Sequence, residues 1–253
     1  MTRTVVGEEK QPGEFRIMRL FRRRRSEADT EAAPPDPRTP WPEQQVPSDA
    51  GAAATAFWEG WYDLLPEVSA ALGEGEPHRV EHDLCVLVET LHPRLHFSLE
   101  RGRAAIYALV VSGQEDPELR PYTDAWKAAG PPDDAIWEYH DSVPPVPDPT
   151  EVTVNLGEHR ISLADVRVVA QVDDGVVDVA VHHPVFAKLD EASRSTMTFL
   201  PLDATLGERL AAERLRRVET AEAMPESTID LLEFRELVRG LTEQPDESVG
   251  ASG

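Results

Sequence analysis

VRVVAQVDDGVVDVAVH, residues 166–182, decides how the chain is to be read. Two valine-rich runs, residues 166–172 and 176–182, flank Asp173-Asp174-Gly175. β-branched residues suit a pleated, half-buried surface, and an Asp-Gly pair supplies the positive φ angles that a tight hairpin turn requires. The stretch predicts a hairpin. Downstream the pattern changes to a helix over residues 190–206, interrupted by Pro201 and closed by Gly207, and then to a last strand over residues 215–220. The resulting order is strand, turn, strand, helix, strand.

Toward the N-terminus the same order recurs. In residues 94–100, Leu95, Phe97 and Leu99 alternate with polar residues; a turn follows at residues 100–103, and residues 104–111 are apolar on both sides, as in a strand covered twice. Asp116-Pro117-Glu118 supplies a capping carboxylate, a proline for the first helical position and an acid for the first turn. A helix with Leu119, Tyr122 and Trp126 on its buried stripe is expected to follow, ended by Pro131-Pro132, with a strand over residues 136–140. Two hairpin-helix-strand units, residues 95–140 and 166–220, thus predict an α+β fold. The expected assembly is an antiparallel sheet built from both units, with helices mainly on one face and one shared core, in a single domain over residues 51–243. A proline-rich connector, residues 144–149, lies between the units, followed by a hairpin around Gly157 carrying Val152, Val154, Leu156, Ile161 and Leu163.

Two helices precede the first unit. The first, over residues 53–73, presents Phe57, Trp61, Leu64, Leu65 and Val68, with Pro66 a kink or break; the second, over residues 77–91, presents Val80, Leu84, Leu87, Val88 and Leu91. A final helix is expected behind the Asp230/Glu233 capping pair, buried through Leu231, Phe234, Val238 and Leu241.

HRVEH, residues 78–82, matches an inverted zinc-peptidase signature. At 100° per residue, however, His78 and His82 project nearly opposite the apolar stripe, into solvent and without a third protein ligand, so a solvated helix face is the better reading. Cys85 is the only cysteine, which excludes an internal disulfide and a multi-cysteine cage. The chain has no nucleophile elbow, Walker loop, dinucleotide fingerprint or calcium loop, and no cofactor or metal is expected.

Binding is the expected role, with a protein as partner. Trp58, Trp61, Trp126 and Trp137 are the positions expected around a groove, and Asp203 and Glu208 are the candidate polar contacts. Five residues apart on one helix, that carboxylate pair falls on different faces, which argues against a catalytic dyad. The alternative is a hydrolase-type enzyme using His92 and His183, each followed by proline at the edge of an element, with nearby carboxylates and with or without a divalent metal.

LHPRLHFSLE (residues 91–100), Trp137 with Tyr139, ADVRV (residues 164–168) and FLPLDATLGE (residues 199–208) resemble a family of uncharacterised bacterial proteins. That family pairs an HP-x-L-x-F strand with an FL-x-LD-x-x-LGE helix end. The resemblance spans residues 57–220 and implies a shared α+β fold with no known activity and no site residues. Pro201 falls inside the second motif.

Charge is unevenly distributed. The whole chain carries a formal −22, whereas residues 1–25 hold eight cations against three acids, a local +5 that leaves −27 for the remainder. So acidic a body repels phosphate backbones and favours basic proteins, cationic ligands or divalent metals. Only three lysines occur beside many arginines and alanines, a bias expected of a GC-rich bacterial genome. MRLFRRRR, residues 18–25, reads like a translation start, and its arginine tip could contact anionic surfaces. Residues 26–50, with six prolines among acidic and small residues, read as an extended linker, and residues 244–253 as a disordered tail. No run of apolar residues is long enough to span a bilayer and no signal-peptide core follows the basic start, so a cytoplasmic protein is expected.

Overall fold

The computed structural model describes residues 46–243. The basic tip, most of the proline-rich arm, the alternative start at Met18 and the tail lie outside the described residues.

The chain enters through helix α1 (Ala50–Glu74). Asp49 caps it by accepting from the Gly51 and Ala52 N–H groups at 2.9 and 3.1 Å, and Gly75, at φ 75°, ends it in the left-handed conformation. Pro66 is absorbed without a break. A short 3-10 turn (Pro77–Arg79) and helix α2 (Glu81–Leu91) follow, divided by buried Val80 where one continuous helix was expected. His78 and His82 are exposed on these two pieces, as the apolar stripe requires.

The first unit is β1 (His96–Arg101), β2 (Tyr107–Ser112), α3 (Arg120–Ala129) and β3 (Trp137–His140). The second is β6 (Arg167–Asp173), β7 (Val176–His182), α4 (Glu191–Leu206), α5 (Glu208–Arg214) and β8 (Leu215–Thr220), reached through the hairpin β4 (Thr153–Leu156) and β5 (His159–Ser162). Asp174 and Gly175 sit at φ 50° and 74° in the β6–β7 turn, the geometry that the Asp-Gly pair called for. Helix α6 (Leu231–Glu243) closes the fold behind a reciprocal cap, with Asp230 N–H on Glu233 and Glu233 N–H on Asp230 at 3.1 and 2.9 Å.

The fold is α+β, and both units share one strand order. In each, the hairpin strands pair antiparallel while the last strand pairs parallel with the second, so both sheets are mixed rather than antiparallel. The reason is geometric: a helix crossover returns the chain in the direction of the strand it left. The units also do not merge into one sheet. The outer edge of β3 is occupied by side chains, Asp134 accepting from the Trp137 N–H at 2.8 Å and Asp133 from that of Tyr139 at 3.2 Å. The outer edge of β6 is bridged at Val168 by Ile229. An edge so occupied offers nothing for a further strand to join. Two apolar clusters result, one for α1–α3 with the first sheet and one for α4 and α6 with the second, in place of a single shared core.

On β3, the Glu138 carboxylate is buried beneath the β1–β2 loop. It accepts from the Arg103, Ala104 and Ala105 N–H groups at 2.8, 3.1 and 3.3 Å and pairs with His140 at 3.1 Å. Burial alone would raise its pKa, but these four contacts outweigh burial and hold it at about 2. A folded-state pKa below the unfolded value means stability present at neutral pH and lost as pH falls from the ordinary carboxylate range toward 2. Denaturant unfolding across that window should show a loss on the order of 3 kcal/mol in the native chain, and a flatter profile from a lower starting stability in Glu138→Gln.

Candidate functional site

The four tryptophans are not a groove. Trp58, Trp61, Trp126 and Trp137 are 4%, 0%, 0% and 3% exposed and form the centre of the first core. Trp58 stacks on Trp126 at 5.1 Å and donates its indole N–H to the Trp126 carbonyl at 2.8 Å, while Trp61 meets Trp137 edge-on at 5.1 Å. Aromatic residues from α1, α3 and β3 pack on one another there and leave no face for a partner.

His92 and His183, 3% and 5% exposed, are likewise structural. In each His-Pro pair the proline has no N–H, and the histidine Nδ1 accepts from the next residue, Arg94 at 3.1 Å and Val185 at 3.0 Å. His183 Nε2 lies 3.1 Å from the Ser162 carbonyl, and the His92 ring packs on Tyr122 at 4.7 Å. Burial pushes both pKa values down. One belongs to each unit, and no shared site forms between them.

Asp203 and Glu208, in contrast, do meet at one place. A cleft of about 260 Å³ opens between the units. Its floor is the face of the first sheet turned away from the helices, where Ser98 pairs with Val110 and His96 with Ser112 in register. One wall is the end of α4, and the connector supplies Val143, Pro144 and Val146. Glu100, Glu115, Asp203 and Glu208 line it, and no arginine or lysine does.

The expectation that Asp203 and Glu208 diverge assumed one helix, and the helix stops. Gly207 sits at φ 78°, ψ 162°, a conformation essentially reserved for glycine, and turns the chain so that α5 begins with Glu208. Pro201 lies within α4 without ending it, its carbonyl accepting from the Thr205 hydroxyl at 2.6 Å.

Glu208 then ties the two units together. Its carboxylate accepts from the Ser112 hydroxyl at 2.6 Å, the Val143 N–H at 2.9 Å and the Glu115 N–H at 3.1 Å, and its own N–H donates to the Val143 carbonyl at 2.8 Å. Ser112 also accepts from the Gln114 N–H at 2.9 Å. Gln114 and Glu115 have φ 51° and 65°, unusual for residues other than glycine, and these bonds hold them there. Partial burial and the neighbouring Glu208 carboxylate raise the Glu115 pKa. Alongside, Arg209 bridges Asp124 and Asp141 at 2.7 and 2.8 Å, and Arg120 pairs with Glu213 at 3.1 Å.

The connector is fixed as well. Val146 N–H donates to the Ala204 carbonyl at 2.8 Å. The buried Arg235 guanidinium of α6 donates to the carbonyls of Thr205, Pro147 and Val146 at 2.8, 2.7 and 2.6 Å. None of these contacts carries a sequence signal, since each depends on chain segments far apart. His96, the histidine that lines the cleft, was also missed; its place opposite Ser112 follows only from the register.

Among the described residues no group of three or more His, Cys, Asp or Glu side chains is arranged to hold a metal ion, and no helix is long and apolar enough to cross a membrane. Comparison of the chain with family models, with curated proteins and with solved structures finds no match.

A Cβ at position 207 would stand 2.6 Å from Pro145 Cδ and 3.0 Å from the Val143 carbonyl. Gly207→Ala should therefore lower the unfolding free energy by roughly 2–4 kcal/mol, combining backbone strain with steric crowding. Gly157→Ala, at φ 57° in open space, should cost about 1 kcal/mol in the same denaturant titration. Glu208→Ala, which strands the Ser112, Glu115 and Val143 donors, should cost about 1–3 kcal/mol.

Proposed function

We propose that the chain is a binding protein whose site is the cleft between the two units, and that its partner presents a cationic side chain with an apolar stem on a protein or peptide. The carrying observation is the lining itself: four carboxylates and no arginine or lysine around Val110, Val143 and Val146. A long aliphatic side chain with a charged end satisfies both parts of such a surface, and arginine, which engages carboxylates through a planar fork, does so best. At about 260 Å³ the cleft falls just below the ~300–1,000 Å³ range of small-molecule pockets, which favours one or two side chains over a metabolite. The formal −22 of the chain favours a basic partner in the same sense and speeds its encounter. The bacterial family resemblance carried by residues 91–100 and 199–208 and a cytoplasmic setting belong to this proposal as well.

The test uses Glu100→Gln with Asp203→Asn, which remove charge without shortening either side chain. Proteins of the host retained on the immobilised native chain are eluted with rising salt and identified by mass spectrometry. A basic protein retained by the native chain, released by salt and lost from the double variant is the expected result. Equal retention by both chains would take the partner away from the cleft and overturn the reading.

A second reading has one observation in its favour. Ser112, His96 and Glu208 line the same cleft, the residue types of a serine hydrolase. The Ser112 hydroxyl, however, donates to Glu208 and accepts from Gln114, an arrangement that orders the loop after β2. A serine-reactive phosphonate that labels the native chain but not Ser112→Ala would restore the enzyme reading; an unlabelled chain is expected.

A further inference from the structure

The chain itself contains a segment with the chemistry that the cleft selects. Residues 20–25, LFRRRR, set two large apolar side chains directly before four arginines, and they form the densest positive charge in a protein of formal charge −22. We infer that this segment occupies the cleft intramolecularly, as a tethered competitor that a cationic partner has to displace. The inference rests on the reading of the cleft proposed above and names its resting occupant.

Charge complementarity is the first argument. The cleft combines Glu100, Glu115, Asp203 and Glu208 with Val110, Val143 and Val146, and an arginine following Leu20 and Phe21 can place its head on the carboxylates while its neighbours cover valine. The arm is the second. Residues 26–45 separate the arginines from the described chain, and a chain of that length spans at most roughly 70 Å. A body of this size has a radius of gyration of about 16 Å, so that span exceeds its diameter.

Tethering converts weak recognition into occupancy. A tether of this length corresponds to an effective concentration on the order of millimolar, so a segment with an intrinsic Kd of ~0.1 mM would fill the cleft about nine-tenths of the time. It would weaken the binding of an external ligand about tenfold.

The experiment measures fluorescence anisotropy of a labelled peptide MRLFRRRR added to three full-length proteins of confirmed equal unfolding midpoint: the native chain, Arg22→Gln with Arg23→Gln, Arg24→Gln and Arg25→Gln, and that quadruple variant with Glu100→Gln and Asp203→Asn added. Expected is binding by the quadruple variant about tenfold tighter than by the native chain, lost at high salt and weakened at least tenfold by the cleft substitutions. Equal affinity for the native and quadruple proteins would mean that the native segment does not compete, and would overturn the inference while leaving the cleft an arginine-binding site. Binding untouched by the cleft substitutions would place the site elsewhere, and no binding to the quadruple variant would show that the cleft rejects this segment; either outcome overturns the inference. The proposed function would still survive the last result if the host's basic partner is captured through Glu100 and Asp203. Light scattering separates the remaining occupant: a native dimer that becomes monomeric in the quadruple variant would assign the cleft to the segment of a second copy and overturn the intramolecular arrangement.

Discussion

The relation of the two halves depends on one carboxylate. Glu208 opens α5 in the second unit and accepts hydrogen bonds from the end of β2, from the loop after it and from the connector between the units. A carboxylate with three donors is held more firmly than one hydrogen-bonded pair would be, because charge strengthens each bond and removing the acceptor strands every donor. The two mixed sheets have no strand pairing in common, and their apolar clusters are separate, so this polar junction and the salt bridges of Arg209 and Arg120 set how they meet.

The junction in turn requires a particular backbone. α4 must end at Leu206 and α5 begin two residues later in another direction, which Gly207 achieves in a conformation that a side chain would forbid both by its torsion angles and by Pro145. The connector's prolines then appear in a different light. A proline-rich stretch behaves as a loose spacer in isolation, but here its carbonyls accept from the buried Arg235 and its Val143 and Val146 bond to the α4–α5 region. Prolines lack N–H donors, so a strap made of them presents mainly acceptors, which suits a guanidinium that brings only donors.

Local patterns were legible in the sequence, and long-range geometry was not. The Asp173-Asp174-Gly175 hairpin, the strand at residues 215–220 and the Asp230/Glu233 cap depend on residues close together in the chain, and each formed as its local chemistry dictates. The solvent-facing placement of His78 and His82 followed from helical phase alone. The parallel pairing of β3 with β2 and of β8 with β7 was missed because alternation reports burial and says nothing of direction. The tryptophans were misplaced for a related reason: period identifies a buried face, but only tertiary packing shows whether a protein core or a ligand covers it. For Asp203 and Glu208 the residues were found while their relation was wrong, since Gly207 was taken for the end of a helix and not for a turn into another.

The cleft is a consequence of this architecture rather than an addition to it. Each three-stranded sheet buries one face under its helices, and the first sheet has a second face that carries His96, Ser98 and Glu100 opposite Ser112, Val110 and Ala108. Of those six residues Val110 and Ala108 are apolar and buried and the other four are polar, so the face can be neither fully solvated nor packed as a second core. Glu208 and the connector border it, and what is left is a recess lined by Val110, Val143 and Val146 and by four carboxylates. Acidic side chains gathered around a recess raise its negative potential above that of the surrounding surface, because low-dielectric walls focus the field. The fold thus places four carboxylates and no arginine or lysine around a gap between two packed units, which is where binding sites generally form.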